Sequence, residues 1–141
     1  MKGIKFLVFV ALLVLVQSCG ENNRVDLGNG YRFDYDPVIS NDCAIFGPYE
    51  NTYAITGHVL KYDFDSIFII AEQKPRDSIL KDSYNDPFMD IRKQEKIFEK
   101  SSIRQFWIIN KTNDSIYGPL NKEEFFKKRE ELKVPDVLSL P

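Results

Sequence analysis

The sequence predicts an α+β domain: an antiparallel sheet of five to six strands with two helices packed on one face. Three observations predict it. Short segments that alternate apolar and polar residues, or that are β-branched and aromatic throughout, recur from Tyr31 to Gly118. A charged segment of helical length interrupts them before the last pair of strands. A second such segment follows that pair, opened by a capping signal at Asn121 and closed by Pro135.

Tyr31-Arg-Phe-Asp-Tyr-Asp36 alternates strictly, with Tyr31, Phe33 and Tyr35 on one face and Arg32, Asp34 and Asp36 on the other. Pro37 ends it, because proline cannot donate to the ladder. Cys43 to Phe46 reads as a short strand closed by Gly47-Pro48. Thr52 to Tyr62 reads as one longer strand, with a bulge or close backbone approach at Gly57. Ser66-Ile-Phe-Ile-Ile-Ala71 is apolar on both faces, the pattern of a central strand. Lys74 to Ser83 is polar and contains Pro75, which suits a loop with one helical turn. Asp86-Pro87 is a helix start, with Phe88, Ile91, Ile97 and Phe98 as its apolar stripe to about Lys100. Ile103 to Asn110 is a strand, Lys111 to Asp114 a turn, and Ser115 to Gly118 the returning strand of a hairpin. Asn121 and Glu124 then stand at capping-box spacing before a helix carrying Phe125, Phe126, Arg129 and Leu132. The apolar tail from Val137 to Pro141 is expected to pack back on the domain.

Ahead of this domain lies a leader. Lys2 and Lys5 precede an unbroken apolar run from Phe6 to Val16, and Gln17-Ser18-Cys19 closes it. Charge, apolar run and small residue stand in the order of a secretory signal. The run is shorter than the roughly 20 apolar residues that a helix needs to cross a bilayer. Val16-Gln17-Ser18-Cys19 resembles the cleavage motif of bacterial lipoproteins. The resemblance implies cleavage between Ser18 and Cys19, a diacylglyceryl group on the Cys19 sulfur and a further acyl chain, such as palmitate, on its new amino group. One acyl chain holds a protein only marginally at a bilayer, whereas two or three hold it stably. Gly20, rather than Asp, follows the cysteine, and by the same resemblance this implies the outer membrane, on its periplasmic or surface face. Gly20 to Gly30 is polar and glycine-rich, the composition of a flexible tether. The organisation expected is therefore a signal peptide over 1–18, a tether over 19–30 and one α+β domain over 31–141.

Composition excludes several classes of function. The formal net charge of the 141 residues is −2, and loss of Lys2 and Lys5 with the leader makes it more negative. Such a chain is not built to hold nucleic acid by charge. Cys43 is the one cysteine besides Cys19, so the domain is expected to be stable without an internal disulfide. There is no glycine-rich phosphate loop, no tandem repeat and no cofactor motif, and no cofactor is expected.

Candidate chemistry is sparse. Cys43 and His58 are residue types that form a thiolate–imidazole pair, but no local signature accompanies them, and a buried cysteine and a strand histidine are the default reading. Asp34 with Asp36, and Asp63 with Asp65, are Asp-x-Asp pairs whose carboxylates share a face on a strand. Four converging carboxylates would suit Ca²⁺, and a suitably spaced pair would suit glycoside hydrolysis, although no calcium loop accompanies them and a solvated outer face fits equally. Trp107 alternates with Phe106 and Ile108, which places it either under a helix or on a ligand-stacking surface; the first is favoured. Asp65-Ser-Ile67, Asp77-Ser-Ile79 and Asp114-Ser-Ile116 resemble the O-glycosylation acceptor pattern of some bacterial envelopes, which implies modification at Ser66, Ser78 and Ser115. Turn chemistry explains the same tripeptide, since Asp and Ser suit turns and Ile starts a strand.

Phe106-Trp-Ile-Ile-Asn-Lys111, Ile116-Tyr-Gly-Pro-Leu120, Glu124-Phe125, Arg129 and Leu132 to Leu138 resemble a family of small bacterial lipoproteins defined as a domain of unknown function. Asp26-Leu-Gly-Asn-Gly-Tyr31 shares the likeness. The family carries over no activity. The function expected is that of a lipid-anchored, non-catalytic envelope module that binds a protein partner, in a narrower form as an immunity or inhibitor lipoprotein. The alternative is a Ca²⁺-binding, glycan-binding or hydrolytic domain using the Asp pairs.

Overall fold

The computed structural model describes residues 23–36, 42–50 and 52–141. Ser18, Cys19 and the expected leader lie outside them. The chain is α+β, but the strands do not form one sheet of five to six. Among the described residues, eight strands make two antiparallel sheets of four. The first holds β1 (Arg24–Gly28), β2 (Tyr31–Asp36), β3 (Asp42–Phe46) and β4 (Tyr53–Ile55) in that order. The second holds β5 (Val59–Phe64), β6 (Phe68–Gln73), β7 (Gln105–Asn110) and β8 (Ser115–Leu120) in that order. Three α-helices accompany them among the described residues: α1 (Arg76–Leu80), α2 (Ile91–Lys100) and α3 (Lys122–Leu132).

Two local features separate the observed fold from the expected single sheet. The segment expected as one strand from Thr52 to Tyr62 is cut at Gly57-His58, where His58 takes a left-handed φ of 66°. That break sends β4 to one sheet and β5 to the other. The buried Gln73 side chain secures it, its Nε2 donating to Thr56 O at 2.8 Å and to Gly57 O at 3.1 Å. Within the stretch expected as tether, Arg24–Gly28 forms β1, paired with β2 from Arg24↔Asp34 to Gly28↔Tyr31. Leu27 is fully buried there, and this single side chain commits the strand to the core.

The second sheet is the middle layer of three. Ile69, Ala71, Ile109 and Trp107 face the first sheet and pack with Leu27, Tyr31, Ile45 and Ile55. Phe68, Ile70, Ile108 and Phe106 face the other way and pack with Phe125 of α3 and with Val134 and Leu138 beyond it. Cover on both faces explains why β6 is apolar without alternation, as the sequence predicts for a central strand. Burial of each such isoleucine contributes about 1.5–3 kcal/mol. Trp107 therefore lies between the sheets rather than under a helix. Its Nε1 donates to Gln73 Oε1 at 2.9 Å, and its ring lies against Gly118, where a Cβ would come within 2.4 Å of Cε3.

The two helices expected on one sheet face behave differently. The α3 helix packs on β7 and β8 as predicted. The α1 and α2 helices instead pack on each other at the ends of β6 and β7. The expected start at Asp86-Pro87 is a turn, in which Asp86 Oδ1 accepts from Phe88 N at 2.9 Å. Asp90 is the true cap of α2, accepting from Lys93 N at 2.8 Å.

Candidate functional site

A broad concavity lies on the outer side of the second sheet, between α3 and the C-terminal tail. The sequence builds it in three steps. Asn121 and Glu124 form the predicted capping box, each side chain accepting from the other's backbone N–H, at 2.9 and 2.8 Å. Lys133 ends α3 in a left-handed conformation, φ 56°, and Val134 N donates back to Arg129 O. The tail then folds back over the sheet, as expected. Arg129 Nη2 donates to Pro135 O at 3.1 Å and to Leu138 O at 2.8 Å, while Ser139 N donates to Asp63 Oδ2 at 2.9 Å.

The resulting groove has a cavity volume of about 1070 Å³. Its apolar lining comes from Phe106, Phe125, Leu138 and Leu140, with Phe126, 51% exposed, at the rim. Phe106 and Phe125 stack with centroids 5.1 Å apart. Five cations line it, Lys61, Arg104, Lys122, Arg129 and Lys133, against the carboxylates of Glu72, Glu130 and Asp136. Glu72 is neutralised in place by Lys61 at 3.7 Å and Arg104 at 3.4 Å. Lys122 and Lys133 stand exposed on the rim. An apolar floor under a net basic rim suits a ligand that presents carboxylates beside apolar side chains.

A smaller cavity, about 390 Å³, lies where α1 leaves β6 and is lined by His58, Gln73, Arg76, Ser78 and Trp107 among others. Phe98 of α2 is its neighbour and an electrostatic anchor. The His58 ring meets Phe98 at a tilt of 56° with centroids 4.7 Å apart, and Lys74 Nζ and Arg76 Cζ stand 4.7 and 5.0 Å from the Phe98 ring centroid. Arg76 makes a two-pronged contact with Glu95, which holds the Glu95 carboxyl below its ordinary range and raises the Arg76 guanidinium. Gln73 already serves Trp107, Thr56 and Gly57, so its polar capacity is largely satisfied by the fold.

Sequence reasoning missed Lys111. Its position in a turn-rich tetrapeptide reads as solvated, yet it is only 4% exposed. Its ammonium donates to Leu27 O and Asp65 O, and the backbone N–H of Lys111 donates to Ile67 O at 2.8 Å. Asn29 Nδ2 donates to Lys111 O at 3.2 Å, and Tyr31 Oη donates to Asp114 Oδ1 at 3.0 Å. One lysine thus ties together the β1–β2, β5–β6 and β7–β8 turns. Burial pushes its pKa down, opposed by Asp65 and Asp26. Burial and the Asp114 hydrogen bond push the Tyr31 phenol up to about 12.

The residues singled out from sequence are placed as follows. Asp34 lies on the outer face of the first sheet, bonded to Arg24 at 3.0 Å and Arg32 at 3.3 Å. Asp36 ends β2, opposite Asp42. Asp63 lies on the tail side of the second sheet, and Asp65 Oδ1 accepts from Ile67 N and Phe68 N at 2.7 Å each. The inter-sheet core therefore separates Asp34 from Asp63, and the fold does not bring the two pairs together. Among the described residues, no three His, Cys, Asp or Glu side chains group as a metal site. Cys43 packs on the inter-sheet core, whereas His58 packs on Phe98. Ser66 and Ser78 are exposed and Ser115 is half-buried. The aspartates before them hold the fold: Asp65 caps its turn, Asp77 accepts from Tyr84 Oη at 3.1 Å, and Asp114 accepts from Tyr31.

No curated protein and no solved structure matches the chain. A family model does, over residues 34–141, from the second half of β2 through the groove and its tail. On that match the chain belongs to the family described as Protein of unknown function (DUF3997).

Proposed function

We propose that the protein is a lipid-anchored envelope protein that binds a protein partner, without catalysis, in the groove between α3 and its own tail. The groove carries this reading. It is large enough for several side chains, Phe106, Phe125, Leu138 and Leu140 give it an apolar floor, and its lining holds more cations than carboxylates in a chain of net negative charge. The partner surface that fits is a segment with two or more carboxylates flanking an apolar side chain. A role as an immunity or inhibitor lipoprotein would require a target with that chemistry. The lipid on Cys19, and retention at the outer membrane, rest on the leader's cleavage motif and Gly20.

The test compares full-length tagged protein with its Lys122→Glu/Lys133→Glu variant, crosslinked in native membranes and co-purified. The wild type should retain one protein near stoichiometrically, and the variant should lose it by about tenfold or more. Equal recovery from both would contradict groove binding, and a Cys19→Ala control reads the anchor separately.

A further inference from the structure

The α1–α2 excursion presents large apolar side chains that the fold does not cover. Phe88 and Ile91 are 83% and 75% exposed, and Tyr84 is 53% exposed. Single exposed apolar residues are ordinary, but three within eight positions at one tip are a surface feature. Part of the tip's backbone is also already paired. Phe88 N donates to Asp86 Oδ1, Met89 N to Asp86 O, and Lys93 N to Asp90 Oδ1, while Lys93 Nζ donates to Phe88 O at 3.2 Å. These backbone N–H groups would therefore enter a medium of low polarity already paired.

Chain direction places this tip at the same end of the domain as the expected anchor. β1 runs from Arg24 toward the turn that Lys111 clasps, so Asn23 lies at the strand ends away from that clasp. The α1–α2 excursion leaves β6 at Gln73 and rejoins β7 at Gln105, also at the strand ends away from the clasp. Four residues from Cys19 to Asn23 span at most about 14 Å. A lipid on Cys19 holds this end of the domain, rather than the Lys111 end, against the bilayer. Residues 81–100 carry five cations and five carboxylates, so ionic attraction to anionic headgroups does not favour the approach.

We propose that Phe88 and Ile91 insert into the bilayer that carries the Cys19 lipid, and so fix the domain's orientation on the membrane. This rests on the lipid-anchor reading. The contact is with acyl chains rather than with anionic headgroups.

The test uses full-length, acylated Phe88→Trp protein reconstituted in phosphatidylethanolamine–phosphatidylglycerol vesicles, with brominated lipid as quencher. Native Trp107, held between the sheets, is the internal reference, and Ile91→Trp is a second reporter should the first fail to fold. Emission from the added indole should shift to the blue and be quenched several-fold more than that of the wild type. The quenching should persist in high salt and when phosphatidylcholine replaces phosphatidylglycerol. Vesicle flotation with no added quenching from either folded reporter would overturn the docking and leave the anchor standing. Failure of the wild type to float with vesicles would overturn the anchor reading and the docking with it. Quenching abolished by salt would overturn the apolar mechanism.

Discussion

At the residue scale, the fold depends on polar groups that few local patterns announce. Lys111 donates to two backbone carbonyls from separate hairpins, and Tyr31 reaches Asp114 across 83 positions of sequence. The Tyr31 phenol has an ordinary pKa of 10.0 and is raised to about 12 in the fold. Its contribution to stability is therefore complete below pH 10 and is lost as pH rises toward about 12. The lowered pKa of Lys111 acts in the opposite direction, raising stability as pH climbs toward its ordinary 10.5. Tyr31→Phe leaves the lysine in place and isolates the first effect. The variant should be about 1 kcal/mol less stable at pH 8 and should lose less stability than wild type between pH 10 and 12, read as urea midpoints. Parallel midpoint curves for the two proteins would show that Tyr31 does not titrate as argued. Alternation does reveal that Tyr31 faces the core. It does not reveal Asp114 as the partner, because sequence spacing carries no information about which turns meet.

At the element scale, legibility follows how local the cause is. The α3 capping box is written in four consecutive residues, and the helix begins where Asn121 predicts. The β7–β8 hairpin is likewise local. The cut at Gly57-His58 is not, because it depends on Gln73, a side chain one strand away in the fold and 16 positions away in sequence. The α1–α2 pair is intermediate: Phe98 is a recognisable apolar anchor, but its packing against His58 rather than on a sheet face has no signature. Arg76–Glu95 is the link between these helices. Glu95 sits below its ordinary 4.5, so the link is intact above pH 4.5 and is lost as pH falls through the lower folded value. Its side chains are 28% and 45% exposed, so solvent screening keeps its contribution to no more than about 1 kcal/mol. Amide protection factors in residues 76–100, referred to the intrinsic exchange rate at each pH, should fall a few-fold on acidification below pH 4.5, before those of the sheets. Glu95→Gln should show the lower protection already at neutral pH and little further change. Simultaneous loosening of the sheets and helices would contradict this order.

At the scale of the whole molecule, the second sheet organises everything else. One face meets the first sheet, and the other meets α3 and the tail. The apolar run of β6 declares two buried faces, and the terminal helix declares one cover. The second cover, a four-stranded sheet, is hidden because β1 and β4 are five and three residues long and carry little periodicity. The groove was equally hidden. Its cations come from β5, the approach to β7 and α3, and they converge only after Arg129 has drawn the tail across the sheet. The most direct measurement places a photo-crosslinking benzoylphenylalanine at Phe126, on the groove rim, in the full-length protein in its native membrane. A matching probe at Tyr49, 68% exposed in the β3–β4 turn, serves as the off-site control. Groove binding predicts one discrete protein adduct at position 126, lost in the Lys122→Glu/Lys133→Glu background and absent at position 49. No adduct at position 126, or the same adduct from both probes, would contradict it.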